Sequence, residues 1–111
     1  MKILLDEDVP RPLRREIPGH TISTVVEMGW SSIKNGLLIR LAVESGFEVL
    51  LTCDHNIQKQ QNVPLLGLAL LVIAVPDTNV ETIHPLLPDI LAVLDSHPQP
   101  GTLSVVGTWR V

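Results

Sequence analysis

Short apolar runs alternate with more polar segments along this chain, and the pattern predicts five strands. Residues 2–5, 47–52 and 69–75 are almost continuously apolar, as is typical of parallel strands that are covered on both faces. Residues 20–26 alternate between polar and β-branched apolar side chains, which indicates a half-exposed strand near a sheet edge. Residues 102–106 predict the last strand.

Helices are predicted between these strands. Residues 9–17 predict a short helix with Asp8 as a candidate N-cap, because the two prolines of this segment fit only a first helical turn. Residues 33–45 predict a longer helix, with Ser31 or Ser32 as its N-cap and Gly46 as its C-terminal cap. Its apolar stripe consists of Ile33, Leu37, Leu38, Leu41 and Ala42. Further helical segments are predicted over residues 57–62, near 79–84 and from there to 95.

Strands that alternate with helices predict an α/β fold, namely an open, mostly parallel sheet of about five strands with helices on both faces. The 111 residues correspond to one domain, residues 1–111, of which about 107–111 form a tail. No run reaches the roughly 18 apolar residues of a membrane span, and we expect no signal peptide. The single cysteine, Cys53, excludes an intramolecular disulfide. These features favour a cytoplasmic protein.

The charge balance restricts the function. The net charge is −4, with 8 basic and 12 acidic residues. Because nonspecific nucleic-acid binding depends on phosphate neutralisation by Lys and Arg, this balance argues against a pure nucleic-acid-binding module. A metal-dependent enzyme is compatible with it, because bound cations invert the field of an acidic cleft. The basic cluster Arg11, Arg14 and Arg15 is either a contact to nucleic-acid phosphates or a solvated helix face.

Carboxylates stand where the predicted strands end. Asp6-Glu7-Asp8 follows the first strand and Asp54 follows the third. In open parallel sheets the ligand site lies beyond the carboxyl ends of the strands, and converging carboxylates there can hold one or two Mg²⁺ or Mn²⁺ ions. Asp6 and Asp54 are therefore the first candidates for a metal site. Weaker polar candidates in these loops are Glu27, Asn56, Asp77 and Asn79.

Simpler structural roles remain open for several of these residues. Glu7 and Asp8 also suit an N-cap and the favourable negative charge at a helix N-terminus. Asp54 also suits a turn-forming aspartate after a strand. Cys53 is interpreted as a small buried hydrophobe rather than a nucleophile. The two tryptophans, Trp30 and Trp109, suit packing or an interface as well as stacking on a substrate.

Several motifs together resemble a known family. They are KILLDEDVP at 2–10, Glu27-Met-Gly-Trp30, Lys34-Asn-Gly36, Thr52-Cys-Asp-His-Asn-Ile57 followed by Gln60-Gln-Asn62, Asn79, and Pro85-Leu-Leu-Pro88. Over residues 1 to about 106 the chain resembles the small bacterial PIN-like proteins, a family of predicted nucleases proposed as toxin–antitoxin components. The resemblance implies a PIN-like α/β fold and a ribonuclease that depends on Mg²⁺ or Mn²⁺.

The resemblance also implies roles for individual residues. Carried over by position, Asp6 and Asp54 are the expected catalytic carboxylates and bind the metal, with water as the nucleophile. The residues expected to assist are Asp8, as a further metal ligand, and Glu7, Asn56 and Asn79. The expected partners are an RNA substrate and an antitoxin protein, and the apolar composition favours a homodimer.

The chain departs from the family at Leu37, where relatives carry a glutamate directly after the Lys-Asn-Gly motif. A leucine cannot coordinate Mg²⁺, and we expect it to be buried in the core. Lys59 likewise stands where relatives tend to carry an aromatic residue. If relatives use that glutamate as a ligand, then Glu7, Asp8 or Glu27 replaces it here, or the metal affinity is low, or the protein has no nuclease activity.

The leading hypothesis is an endoribonuclease of PIN-like type that depends on Mg²⁺ or Mn²⁺. One alternative is a catalytically weak or inactive PIN-like module that binds a partner or dimerises. A further alternative is a small-molecule phosphatase-type hydrolase that uses the same acidic cleft.

Overall fold

The computed structural model describes residues 1–108, so Trp109 lies outside the described residues. Five strands form one sheet: β1 (Lys2–Leu5), β2 (Thr21–Thr24), β3 (Val49–Thr52), β4 (Ala69–Ala74) and β5 (Leu103–Gly107). The α-helices are α1 (Asn35–Glu44), α2 (Ile57–Gln60), α3 (Val80–Ile83) and α4 (Leu87–Asp95). Three 3₁₀ helices connect them: Arg11–Glu16, Val63–Leu65 and His84–Leu86. None of the helices in this range is long and apolar enough to cross a membrane.

All strand pairs of the sheet are parallel, in the order β2-β1-β3-β4-β5. The predicted α/β class, with an open parallel sheet of five strands, is confirmed. β2 lies at an edge and β4 lies inside the sheet with all six residues buried, as their sequence patterns predict. From β1 the chain runs to β2 on one side, and from β3 it runs to β4 on the other. The strand order therefore reverses between β1 and β3.

Both faces of the sheet carry an apolar core, because neighbouring side chains of a strand point to opposite faces. Leu5 of β1 belongs to the core that also contains the first 3₁₀ helix, α3 and α4, whose buried side chains are Leu13, Ile83, Leu87, Ile90 and Leu94. Leu4 belongs to the opposite core, against which α1 packs through Leu38, Ile39 and Ala42. The helices thus cover both faces of the sheet, and the polar residues lie beyond the ends of its strands.

The end of α1 illustrates how the sequence fixes an element boundary. Gly46 has a φ of 84°, which is strained for any residue with a Cβ. In this conformation the N–H of Gly46 donates to the Val43 carbonyl (3.1 Å), and that of Phe47 donates to the Ala42 carbonyl (2.9 Å). These two bonds satisfy the last carbonyls of the helix and turn the chain into β3. The predicted C-terminal cap is confirmed.

Three local predictions are wrong. Asp8 does not cap the first helix, which is a 3₁₀ helix flanked by Pro10 and without a side-chain cap bond. Its second position is Pro12, which has no N–H that a cap could bind. Lys34, rather than Ser31 or Ser32, occupies the N-cap position of α1, again without a side-chain bond.

The expected burial of Leu37 is the third. Leu37 is 49% exposed, because the face of α1 that meets the sheet is formed by Leu38, Ile39 and Ala42.

Replacing Leu70 by alanine is expected to lower the free energy of unfolding by about 2–5 kcal/mol, because the side chain is 1% exposed and leaves a cavity. Leu103 lies opposite Leu70 on β5 but is 39% exposed, so Leu103→Ala is the matched control. Urea denaturation followed by circular dichroism measures both variants. An equal loss in the two would contradict the described burial of the β4–β5 pair.

Candidate functional site

Three aspartates lie at the carboxyl ends of β1 and β3, where the strand order reverses. Asp6 follows β1 directly, and its N–H still donates to the Leu51 carbonyl of β3 (2.9 Å). Asp8 lies two residues further along the chain, and Asp54 follows β3 after one intervening residue. In doubly wound sheets, ligands bind at this kind of reversal. The structure therefore gathers the three acids at the edge where a site is expected.

The hydroxyl of Thr52 connects the three aspartates. Thr52 is fully buried at the end of β3, and its Oγ1 lies 2.7 Å from Asp6 Oδ2 and 3.5 Å from Asp8 Oδ1. A hydroxyl has one proton, so the shorter distance assigns that proton to Asp6. The same oxygen accepts the N–H of Asp54 at 3.1 Å. One buried side chain thus holds Asp6 in place and fixes the start of the Asp54 turn.

Asp8 is half-buried, and its Oδ1 accepts the N–H of Cys53 at 3.0 Å. Burial raises the pKa of the Asp8 carboxyl from 3.8 to about 6, although the Cys53 N–H opposes the shift. The negative charges of Asp6 and Asp54 raise it further. The three carboxylates therefore repel one another, and any cation placed between them would relieve that repulsion.

Asp54 makes the turn that its sequence position predicts. Its Oδ1 accepts the N–H of Asn56 at 2.9 Å, which closes the turn before α2. Its Oδ2 accepts a hydrogen bond from Asn35 Nδ2 at 3.0 Å, so the first residue of α1 holds the other oxygen. Each oxygen accepts one described bond and retains a further lone pair. The turn role and a metal-binding role are therefore compatible.

Glu7 and Glu27, two suggested replacements for the missing glutamate, are engaged elsewhere. Glu7 is exposed, and its Oε1 accepts the N–H of Ser32 at 2.7 Å, which fixes a loop residue with a φ of 65°. Glu27 accepts the Thr24 N–H (2.9 Å) and pairs with Arg14 (2.6 Å). These bonds, led by the Thr24 N–H, lower the pKa of Glu27. Of the three suggested replacements, the structure leaves Asp8 at the acidic cluster.

The two predicted supporting asparagines lie in different places. Asn56 is next to the site, where its main-chain N–H binds Asp54. Asn79 lies after β4, where its N–H donates to Asp77 Oδ1 (3.0 Å). Asp77 Oδ1 also accepts the Thr82 hydroxyl, so this loop is a self-contained helix start. Among residues 1–108, the bonds of Asn79 remain within that loop.

Cys53 and Trp30 have packing roles. Burial raises the pKa of the Cys53 thiol to about 12, and the nearby charges of Asp8 and Asp6 add to the effect. The thiol thus stays protonated, and it packs against the core beside β3. Trp30 packs edge-on against Phe47, with ring centroids 6.1 Å apart. This agrees with the interpretation of Cys53 as a small hydrophobe, and it favours packing among the roles that the sequence left open for Trp30.

A hydrated divalent cation fits this donor set, although the acids do not form a closed cage. Within the described part of the chain, no three His, Cys, Asp or Glu side chains are grouped so that they could hold a metal ion. Mg²⁺, however, commonly binds through one or two carboxylates, while waters and substrate phosphate oxygens fill its other positions. Asp6 and Asp8 present oxygens that both approach the Thr52 hydroxyl. Asp6 and Asp8 thus supply the one or two carboxylates that a hydrated Mg²⁺ needs.

Two residues of the site escaped the sequence interpretation. Thr52 and Asn35 fall within the motifs that carry the family resemblance, but neither received a role. A signal for Thr52 exists, because a hydroxyl closes an otherwise apolar, buried strand just before Asp54. Asn35 carries no such signal, since its contact depends on how α1 crosses the sheet edge.

Comparisons with protein-family models, curated proteins and solved structures find no match for this chain.

Replacing Asp8 by asparagine is expected to remove a loss of stability that the wild type suffers between about pH 4 and pH 6. The unfolded chain releases this proton near the ordinary pKa of 3.8, whereas the folded chain holds it up to about 6. A rise in pH through this window therefore favours unfolding of the wild type. Asparagine has no proton to release, so the variant gains stability relative to the wild type as the pH rises.

The measurement is the urea midpoint as a function of pH, in the presence of EDTA. Asp89→Asn, which changes an exposed acid of α4, is the matched control. A constant difference between Asp8→Asn and the wild type across the window would contradict the raised pKa.

Proposed function

We propose that this protein is an endoribonuclease of PIN-like type that depends on Mg²⁺ or Mn²⁺. The observation that carries the proposal is that the Asp6 and Asp8 carboxylates and the main-chain N–H of Asp54 all lie against the Thr52 hydroxyl, at the reversal of strand order. The family resemblance of the sequence supplies the substrate class, and the oxygen-only donor set supports the choice of cation.

The chain's own residues have distinct tasks in this proposal. Asp6 and Asp8 would hold the cation, with Asp54 as a further oxygen donor, and a bound cation would supply an activated water and stabilise charge on the phosphate. Thr52 keeps the Asp6 carboxylate in one orientation through its 2.7 Å bond. Asn35 and the N–H of Asn56 orient the two oxygens of Asp54 toward the same edge. Held in this way, the carboxylates need little rearrangement when the substrate arrives.

The electrostatics of the site also favour a cation. Without one, three carboxylates would face the phosphates of the substrate, and the net charge of −4 adds to that repulsion. A divalent cation reverses the sign of the local field and lets a phosphate approach. The acidic balance of the chain is therefore compatible with an RNA substrate at this edge.

Replacing Asp6 or Asp54 by asparagine is expected to lower the rate of RNA cleavage at least ~100-fold, because each change removes a charged oxygen donor from the site. The substrate is a single-stranded RNA incubated with Mn²⁺, and calorimetric titration with Mn²⁺ gives the affinity of each variant. Asp89→Asn has the same chemistry on the exposed surface of α4 and serves as the control.

The enzymatic proposal fails if the wild type binds no Mn²⁺ and if RNA loss is the same in all four proteins. Binding of Mn²⁺ without cleavage of RNA would instead favour the phosphatase-type alternative, which is tested by hydrolysis of small phosphate esters.

A specific observation favours a second candidate, the catalytically weak or inactive binding module. Leu37 lies in the first turn of α1, two residues after Asn35, which contacts Asp54. Its side chain is 49% exposed, so an exposed apolar group occupies the position at which the family that the sequence resembles carries a glutamate. An exposed leucine suits contact with a partner better than it suits metal binding.

If position 37 supplies a ligand, replacing Leu37 by glutamate is expected to raise Mn²⁺ affinity at least about tenfold, because it adds an oxygen donor to the helical turn whose first residue contacts Asp54. The change also places an acid in the first turn of α1, where it is favourable for the helix. Leu65→Glu, at a side chain that is 78% exposed in another segment, controls for the added charge. Equal Mn²⁺ affinities in the two variants would exclude a ligand role for position 37.

The toxin role and a homodimer complete the proposal. They rest on the resemblance and the apolar composition rather than on a contact between described residues. A small neighbouring gene that encodes a DNA-binding antitoxin would support the toxin role.

A further inference from the structure

The three arginines of the first 3₁₀ helix surround a cavity of about 260 Å³, which is lined by Arg11, Pro12, Arg14 and Arg15. The helix is held to the sheet by Leu13, which is fully buried in the core. The arginines therefore point away from the core. A small cavity bordered by three guanidinium groups concentrates positive charge in a chain whose net charge is −4.

The guanidinium of Arg14 is engaged in hydrogen bonds within the protein. Its Nη1 donates to Glu27 Oε1 at 2.6 Å, and its Nη2 donates to the Ile22 carbonyl at 3.1 Å. Glu27 is fixed in turn by the N–H of Thr24 at 2.9 Å. Arg14 thus joins the first 3₁₀ helix to the end of β2, and it forms a rigid wall of the cavity.

Arg11 and Arg15 are not engaged in this way within the described part of the chain. Both are exposed, and neither makes a hydrogen bond or an ion pair there. The neighbouring acid, Glu16, faces His84 instead, with 3.3 Å between its Oε1 and the imidazole Nε2. Glu27 offsets one guanidinium, so two positive charges beside the cavity remain without a described counter-charge.

The cavity lies on the same connection as the acidic cluster. Arg11 follows Asp8 by three residues, and three residues span at most about 11 Å even when fully extended. Neighbouring phosphates of one nucleic-acid strand can therefore lie at the acidic cluster and at the arginine cavity at the same time. Guanidinium groups suit this contact, because their paired N–H donors match the oxygens of a phosphate.

We propose that Arg11 and Arg15 form a phosphate subsite for single-stranded RNA, which receives a backbone phosphate next to the one at the carboxylates. Arg14 is a positioning residue, which holds the wall of the cavity through Glu27. The subsite rests on the proposed function for its substrate, but it binds phosphate without the metal. It gives the strand a fixed place beside the cluster.

The test measures binding of a fluorescein-labelled, ribose-methylated RNA dodecamer by anisotropy, in EDTA and over a series of KCl concentrations. The double variant Arg11→Gln, Arg15→Gln is expected to bind at least about tenfold more weakly, because charge-assisted bonds to a phosphate are lost. The slope of log affinity against log salt is expected to fall in magnitude by about 0.7, the value for one phosphate contact in a single strand.

Two controls separate the subsite from net charge and from folding. Arg40→Gln removes an exposed arginine from α1, on the opposite face of the sheet, and is expected to leave the slope unchanged. The double variant Arg11→Lys, Arg15→Lys keeps both charges and is expected to restore the slope and most of the affinity. Urea midpoints of all variants should agree with the wild type, because both side chains are exposed.

An unchanged affinity and slope in the double glutamine variant would overturn the subsite. If Asp6→Asn still abolishes cleavage in that case, the proposed function stands and the strand takes another path. If the glutamine variant loses binding as expected but the wild type cleaves no RNA, the subsite stands and the chain is a binding module.

Discussion

The hydroxyl of Thr52 is the interaction on which the acidic site depends. It sits at the end of a fully buried strand, so its single proton and its lone pairs cannot be satisfied by water. The proton goes to Asp6 and the oxygen accepts from Asp54, with Asp8 at the margin of contact. One hydroxyl thus fixes the Asp6 carboxylate and, through the main-chain N–H of Asp54, the turn that carries the second acid.

This arrangement places opposing charges on a single connection of the chain. The residues after β1 first supply acids to the cluster, and then supply the arginines of the 3₁₀ helix. Arg14 ties this helix to β2 and to the loop after it, through the Ile22 carbonyl and Glu27. The proposed cation site and the proposed phosphate subsite thus lie on one connection of the chain and carry opposite charges.

The fold and the candidate site differ in how far the sequence could predict them. The strands β1, β3 and β4 are buried on both faces, so each appears in the sequence as a nearly unbroken apolar run. The alternation of strands with helices predicts that the strands are parallel. Because the carboxyl ends of parallel strands share one edge of the sheet, the sequence also predicts the edge at which Asp6 and Asp54 lie. Asn35 could not be found in this way, because its contact with Asp54 depends on the crossing of α1. The capping role of Asp8 failed because Pro12 offers no N–H to a cap, and because the carboxylate binds the N–H of Cys53, 45 positions away in the chain.

The bond between Thr52 and Asp6 joins residues that are 46 positions apart in the chain. Parallel pairing between β1 and β3 has to be complete before this bond can form, and closing such a long loop costs entropy early in folding. Local segments such as α1 or the first 3₁₀ helix can form without it. Chains in which the central strand pair is still open therefore lack this bond, so the proposed metal site requires that pair to be closed. A newly made or locally unfolded chain would carry neither the cation nor the activity attributed to it.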